Sequence, residues 1–374
     1  MPILHRLTKL PRNIYSYKNV IQNCSKRNES FLSTSRQSST LKTLFKASLV
    51  GITVGLPVGA VITTGYTWYV NKEASKTFHL QGKEQKVQIA SAVDTTDLKL
   101  TLFQYQTCPF CCKVRVFLDY YGISYDVVEV DPVLRKEISW SIYKKVPIVL
   151  AQTDSGYQPL NDSSMIVSLL SSHLRDRSQK ITDLVECYPN IAMHDPEQKL
   201  KYEIMNKYFL MYKQALEERK WRKWTDDVLV HTLSPNVYRT LDEAYETFNW
   251  FSKVGKWEEY FPSWERLIMI NVGATAMWMI SKRLKKRHNL KEDVRQSLYD
   301  ELNTWLRSIN KRGTTFMGGD KPNLADLAVY GILKSIEGCG AFKDALDNTK
   351  LSTWYDAMIK EVETHSGSKY VAAK

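Results

Sequence analysis

Leu98-Lys99-Leu100-Thr101-Leu102-Phe103-Gln104-Tyr105-Gln106-Thr107-Cys108-Pro109-Phe110-Cys111-Cys112 is the stretch that decides the fold. Leu98 to Tyr105 alternates apolar and polar residues, the period of a strand. Val114, Phe117, Leu118 and Tyr121 then recur at helical spacing. The pair Cys108-x-x-Cys111 therefore lies where a strand turns into a helix, with its first thiol at the helix N-terminus. Unpartnered N–H groups and the helix dipole favour a thiolate there, so the thiol pKa falls. Lys113 and Arg115 add positive charge nearby, and Pro109 suits a first helical turn. Such a pair also reads as two structural cysteines or as half of a zinc site. A zinc site needs a second ligand pair; neither another Cys-x-x-Cys nor a close histidine pair follows, so no metal is expected. A reactive thiol is the expectation.

Beyond the thiols the pattern runs helix, strand, helix, strand, strand, helix, which implies a sheet with helical cover. The strands are Ser124 to Val130, Ile148 to Ala151 and a short one near Gln158 to Leu160. A short helix is expected over Leu134 to Tyr143. Asp154-Ser155-Gly156 carries turn chemistry. Asn161-Asp162-Ser163-Ser164 caps a helix through Ile166, Leu169, Leu170 and Leu174. Two details bear on chemistry. Val146-Pro147 stands directly before a strand; in the cis form it would present the Val146 backbone to an extended peptide, and in the trans form it is an ordinary strand start. Asp162-Ser163 opens a helix, so its N–H groups and hydroxyls make a carboxylate site as well as a cap.

The N-terminal side is of another kind. Residues 1–46 carry nine lysines and arginines against one acid, a net +8 of the +12 of the whole chain, which leaves the rest +4. The folded part is therefore no polyanion binder by charge, and no nucleic acid is expected. The leader resembles a mitochondrial presequence, or a basic tail beside a membrane anchor. Residues 47–70 are 24 without a charge, enough to span a bilayer at about 1.5 Å per residue. Their glycines and the closing Trp68-Tyr69 suit a single-pass transmembrane helix; a cleaved signal region is the other reading. Flanking lysines keep the N-terminus in the cytosol or matrix by the positive-inside rule. Residues 71–97 read as a polar linker. Six cysteines in 374 residues make no disulfide scaffold.

From about residue 195 to 374 the chain reads as all-α. Lys201 to Glu218, Trp221 to Leu233 and Ala274 to Leu284 carry apolar residues at helical spacing. The loop 311–322 breaks the pattern. Asn323 and Asp326 then form a capping-box variant, which accounts for Asp326 without a catalytic role. Lys282 to Arg287 is a basic run at a helix C-terminus, read as a solvated face, with lipid headgroups or haem propionates as functional alternatives.

Cys-Pro-Phe-Cys on such a turn, Val-Pro before the third strand and Asp-Ser at the last helix start together resemble the glutathione-binding domain of glutaredoxins and glutathione transferases. Longer strings resemble one family of that superfamily, the membrane-associated prostaglandin E synthases: 104–111, 145–148, 160–164, 234–240, 280–285 and 322–331. The resemblance covers residue 98 to the C-terminus. It implies a thioredoxin-like domain (98–178) followed by a helical glutathione-transferase-like domain (195–374). It implies Cys108 as catalytic thiol, with Cys111 beside it and the Tyr105 hydroxyl and Phe110 N–H as hydrogen-bond partners. Val146, Pro147, Asp162 and Ser163 would bind glutathione; His231 and Ser234 would line the pocket. The implied reaction is isomerisation of the prostaglandin H2 endoperoxide to prostaglandin E2. Haem alongside glutathione, homodimerisation and a Golgi membrane are further implications, a mitochondrial membrane being the alternative from the leader. Two other functions share the same cysteine: a glutaredoxin-type thiol-disulfide oxidoreductase, and a haem- and glutathione-binding protein without turnover. Cys112 departs from the pattern and offers a second disulfide partner.

Overall fold

The computed structural model describes residues 86–154, 156–185, 188 and 213–371. The leader, the uncharged run 47–70, most of the linker and residues 201–212 of the first expected C-terminal helix lie outside the described residues. Among the described residues no helix is long and apolar enough to cross a membrane.

The first half is a five-stranded sheet with helices. In chain order it runs β1 (Val87–Ile89), β2 (Leu100–Gln104), α1 (Pro109–Tyr120), β3 (Tyr125–Glu129), β4 (Ile148–Thr153), β5 (Gly156–Asn161), α2 (Ser163–Arg175) and α3 (Ile181–Val185). The spatial order is β1-β3-β2-β4-β5. β2 and β3 are parallel, and the other pairs are antiparallel. All five residues of β2 are buried, so the alternation does not mark a wet face. Leu100 and Leu102 point to the core under α1 and α2, while Phe103 joins a second core with Val128, Ile138, Ile148 and Leu150. Both faces of the central strand are thus covered, as a mixed sheet between layers requires.

Two expectations change. β1 falls inside the expected linker; its three residues are exposed and hold by pairing Val87 opposite Val127. The helix expected over Leu134 to Tyr143 is only a 3₁₀ turn, Lys136–Ile138. The Asp131 carboxylate accepts from the N–H groups of Val133 and Leu134, and Arg135 takes a left-handed φ of 52°, which interrupts helix growth. The segment instead sends Ile138 inward and sets Trp140 edge-on to Phe103 at 5.4 Å.

The second half is helical: α4 (Lys213–Trp224), a π-turn (Thr225–Leu229), α5 (Val230–Val237), α6 (Leu241–Val254), α7 (Trp257–Tyr260), α8 (Ser263–Arg287), α9 (Val294–Asn310), α10 (Leu324–Lys334), α11 (Gly340–Asn348) and α12 (Leu351–Glu363). α10 lies against α1. Gly331 makes that approach possible, since a Cβ there would meet Lys113 Cα at 2.6 Å and the Cys112 carbonyl oxygen at 3.1 Å. Asn323 and Asp326 cap α10 reciprocally, as the spacing predicts. The Asp326 carboxylate also accepts from the N–H groups of Met317 and Gly318 and from the Trp354 indole. Lys282 to Arg287 end α8 on a largely exposed face, with Lys285 Nζ 2.9 Å from Glu292.

Candidate active site

Cys108 is the N-cap of α1, in extended conformation, and Pro109 takes the first helical position. Its side chain is half-buried, whereas Cys111 and Cys112 are buried; all three are free thiols. The two cysteines of the pair differ sharply. The Cys111 thiol donates to the Cys108 sulfur and lowers its pKa. Burial opposes this, while the N–H groups of Cys111 and Phe110 and the charge of Arg115 reinforce it. Burial, then the neighbouring Cys108, pushes Cys111 well up. Cys108 is therefore the nucleophile of the pair and Cys111 its proton donor. Phe110 contributes its backbone N–H, while its ring packs on the main core.

Cys112 faces elsewhere. Arg115 lies 2.9 Å from its sulfur, and burial raises its pKa. It is a small core thiol, turned about 100° from Cys111 by the helix. Lys113 adds no free charge to Cys108. Its ammonium is buried and held by Asp226 at 2.6 Å and Ser164 at 2.7 Å.

Cys108 opens into a cavity of about 510 Å³ between the two halves. Tyr105, Gln106, Glu129, Val130, Pro132 and Val133 line it from the sheet side; Leu233, Ser234, Val237, Tyr238, Phe248, Phe251, Ile268 and Val272 line it from the helices. The size and the apolar wall suit one lipid-sized ligand. Tyr105 lies beside the thiol, and burial pushes its hydroxyl up to about 12, so it stays a donor at neutral pH. Ser234 lines the cavity as expected. His231 does not: it stacks on His288 with ring centroids 4.0 Å apart. The helix explains the correction, because Leu233, Ser234 and Val237 of α5 share a face from which His231 is turned by about 110° at 3.6 residues per turn. For the propionates of a haem the lining offers no lysine or histidine, and one guanidinium, Arg135, reaches the Tyr105 hydroxyl at its edge.

On the other side of the thiol a small polar cradle forms. The Val146–Pro147 peptide is cis. The Val146 N–H and C=O make no hydrogen bond among the described residues. The register Phe103 opposite Ile148 and Ile148 opposite Asn161 brings Val146, Asp162 and the thiol turn to one end of the sheet. Asp162 has a φ of 71°, and its Oδ1 accepts from Ser164 N–H at 2.9 Å and Met165 N–H at 3.1 Å. Two N–H groups expected to receive a ligand are therefore taken by the cap, which contributes about 1 kcal/mol. Ser163 N–H and hydroxyl remain, with the second Asp162 oxygen and a buried Asn161 Oδ1 that has no partner. Ammonium, carboxylate and peptide groups find complements in this set, as a γ-glutamyl peptide such as glutathione requires.

Glu129 and Asp226 were not singled out by motif. Glu129 ends β3 opposite Gln104 and lines the cavity. A carboxylate at the last position of β3, level with the strand end that feeds the thiol turn, is the signal that marks it.

Residues 100–153 match the Glutaredoxin family, and residues 273–363 match the glutathione S-transferase C-terminal domain. A crystal structure of glutathione transferase F7 from Populus trichocarpa overlays 73% of this chain and 100% of its own, with 12% identity and a TM-score of 0.40. Prostaglandin E synthase 2 of Mus musculus is 46% identical over 281 residues, 72% of each chain. Prostaglandin E synthase 2 of Danio rerio is 46% identical over 311 residues, 80% of this chain and 79% of its own. Identity at that level, carried through both the thiol-bearing sheet and the helices that close its cavity, makes this chain a member of the prostaglandin E synthase 2 family.

Proposed function

We infer that the chain is an isomerase that converts the prostaglandin H2 endoperoxide to prostaglandin E2 at Cys108. The observation that carries the reading is one cavity holding an activated thiol, a protonated tyrosine and an apolar wall, in a chain of this family. Chemistry follows from those groups. The Cys108 thiolate attacks one endoperoxide oxygen and breaks the weak O–O bond. Tyr105 protonates the alkoxide that leaves. Loss of the ring proton then forms the ketone and returns the thiolate. The helices supply the apolar slot for two lipid tails.

Val146, Asp162 and Ser163 would hold glutathione, with Pro147 shaping the strand start beside them. Bound glutathione supplies a second thiol next to Cys108, suited to keeping that cysteine reduced. Haem is not carried into the reaction. The adjacent free thiols Cys108 and Cys111 favour one second reading, a glutaredoxin-type oxidoreductase using the same pair.

The reading extends to a membrane-anchored dimer. Residues 47–70 support the anchor. Exposed Trp264 and Leu267 on α8 support a covered surface. A Golgi membrane follows from family resemblance and a mitochondrial one from the leader; fractionation of the tagged full-length chain distinguishes them.

The decisive test assays full-length wild type and Cys108→Ser for endoperoxide conversion, with glutathione present. Conversion by wild type alone supports the isomerase. No conversion, with Cys108-dependent reduction of a glutathione mixed disulfide, leaves the oxidoreductase. Asp162→Asn and Ser163→Ala should weaken glutathione binding in calorimetry.

A further inference from the structure

We propose that Glu129 is the base that removes the ring proton, the step that completes the isomerisation; the assignment rests on the reading above. The step balances without an outside oxidant or reductant. Thiolate attack forms an S–O bond and breaks the O–O bond, and the second oxygen leaves as an alkoxide. The carbon that carries the sulfur-bound oxygen then gives its proton to Glu129. The C–H electrons become the C=O π bond, and the S–O electrons return to sulfur as thiolate. The proton on Glu129 replaces the one that Tyr105 gave to the alkoxide.

The cavity offers few other acceptors. Among the described residues lining it, Glu129 is the sole carboxylate, and no lysine, arginine or histidine is present. Tyr105 is committed as donor and Cys108 as nucleophile. Tyr238 is held protonated by burial.

Geometry ties Glu129 to the thiol turn. β2 and β3 run parallel with Gln104 opposite Glu129, so the carboxylate stands at the strand end that feeds the turn. Gln106 N–H, two residues before Cys108, donates to Glu129 Oε1 at 2.6 Å, and Gln104 Nε2 donates to Oε2 at 3.1 Å. These contacts fix the carboxylate's direction; each oxygen keeps a lone pair. Burial pushes the Glu129 carboxyl up to about 7. The Gln106 and Gln104 donors and the Arg115 charge from α1 work against this, and Glu137 from the 3₁₀ turn adds to it. From the helical half, Leu233, Ser234, Ser335 and Ile336 bring no charge to the cavity. A carboxyl in that range accepts a proton near neutral pH far better than an exposed one.

The test uses the full-length chain in detergent: wild type, Glu129→Gln and Glu129→Asp. Glutamine keeps an acceptor for Gln106 N–H but takes no proton. Glu129→Gln should lower turnover to the E-type product by about 100-fold or more. It should remove the part of the acidic limb on which wild type gains activity as pH rises through about 7, leaving only the rise set by the Cys108 thiolate. The Cys108 alkylation rate should stay within about twofold of wild type, and Glu129→Asp should recover about tenfold over Glu129→Gln. Deuterium on the reacting ring carbon should slow Glu129→Gln more than wild type. Undiminished turnover with the acidic limb intact overturns the assignment, and so does an equal loss of Cys108 alkylation, which would make Glu129 a support of the thiol turn. Failure of wild type to convert the endoperoxide removes the isomerase reading itself, and Glu129's role with it.

Discussion

Lys113 Nζ and Asp226 Oδ1 stand 2.6 Å apart, joining the thiol helix α1 to the π-turn of the helical half. The lysine side chain is 4% exposed and the aspartate 22%. Ser164, at the start of α2, bonds to both and closes a three-residue knot between the halves. Arg222 extends it, donating to the Ser164 carbonyl at 3.1 Å and the Ser168 hydroxyl at 2.6 Å.

Asp226→Ala leaves the Lys113 ammonium buried with only a hydroxyl. Losing one partner of such a pair costs about 3 kcal/mol, discounted to roughly 2 for the partly exposed aspartate. Urea unfolding should show that loss in the midpoint. Replacing both partners, Lys113→Met with Asp226→Leu, should recover most of it. A single variant as stable as wild type would show that the pair contributes nothing.

The Cys111 thiol is the largest influence lowering Cys108. Cys111→Ala removes that donor while leaving the helix N-terminus in place. The rate of Cys108 alkylation against pH should therefore move to higher pH. An unchanged curve would assign the activation to the Phe110 and Cys111 N–H groups and to Arg115.

Gly331→Ala pits two effects against each other. Alanine in a helix interior is favoured over glycine by about 1 kcal/mol. Its Cβ, however, would meet Lys113 Cα at 2.6 Å and Lys113 N at 2.9 Å, both backbone atoms that cannot step aside. Overpacking of that kind costs about 1–3 kcal/mol, so destabilisation wins. Calorimetry should show a lower melting temperature; a higher one would mean that α10 shifts off α1 freely.

Local signals carried much of this molecule. Cys108 at a strand-to-helix turn, the Asp162 cap and the Asn323–Asp326 box depend on neighbours in the chain, and the structure places them as their spacing implies. What the chain order hid was set by distant partners. His231 and Ser234 sit three residues apart, and only packing decides which of them meets the cavity. Lys113 reads as a free charge beside the thiol until Asp226, 113 residues away, neutralises it. The edge strand at Val87 has exposed side chains and no pattern, because its hold is backbone pairing to β3. Leu134 to Tyr143 carries a helical pattern, yet the Asp131 turn and left-handed Arg135 override it.

Asp326 separates a folding role from a catalytic one. Its carboxylate accepts from three backbone N–H groups, of Met317, Gly318 and Asn323, at 2.9–3.0 Å, and from the Trp354 indole at 3.2 Å. Asp326→Ala takes the acceptor from the buried Met317 N–H and Trp354 indole at a cost of about 1–3 kcal/mol each, so a loss of at least about 2 kcal/mol is expected. Burial raises the carboxyl from 3.8 to about 6 despite those donors. The folded form thus binds this proton more tightly than the unfolded one. That contribution is complete below pH 3.8 and is lost as pH rises through about 6. The stability gap between wild type and Asp326→Ala should accordingly narrow between those limits, read by unfolding at several pH values. At low temperature the folded fraction of the variant should keep wild-type Cys108 alkylation and turnover per folded molecule. A variant that folds like wild type but turns over nothing would make Asp326 part of the chemistry rather than of the fold.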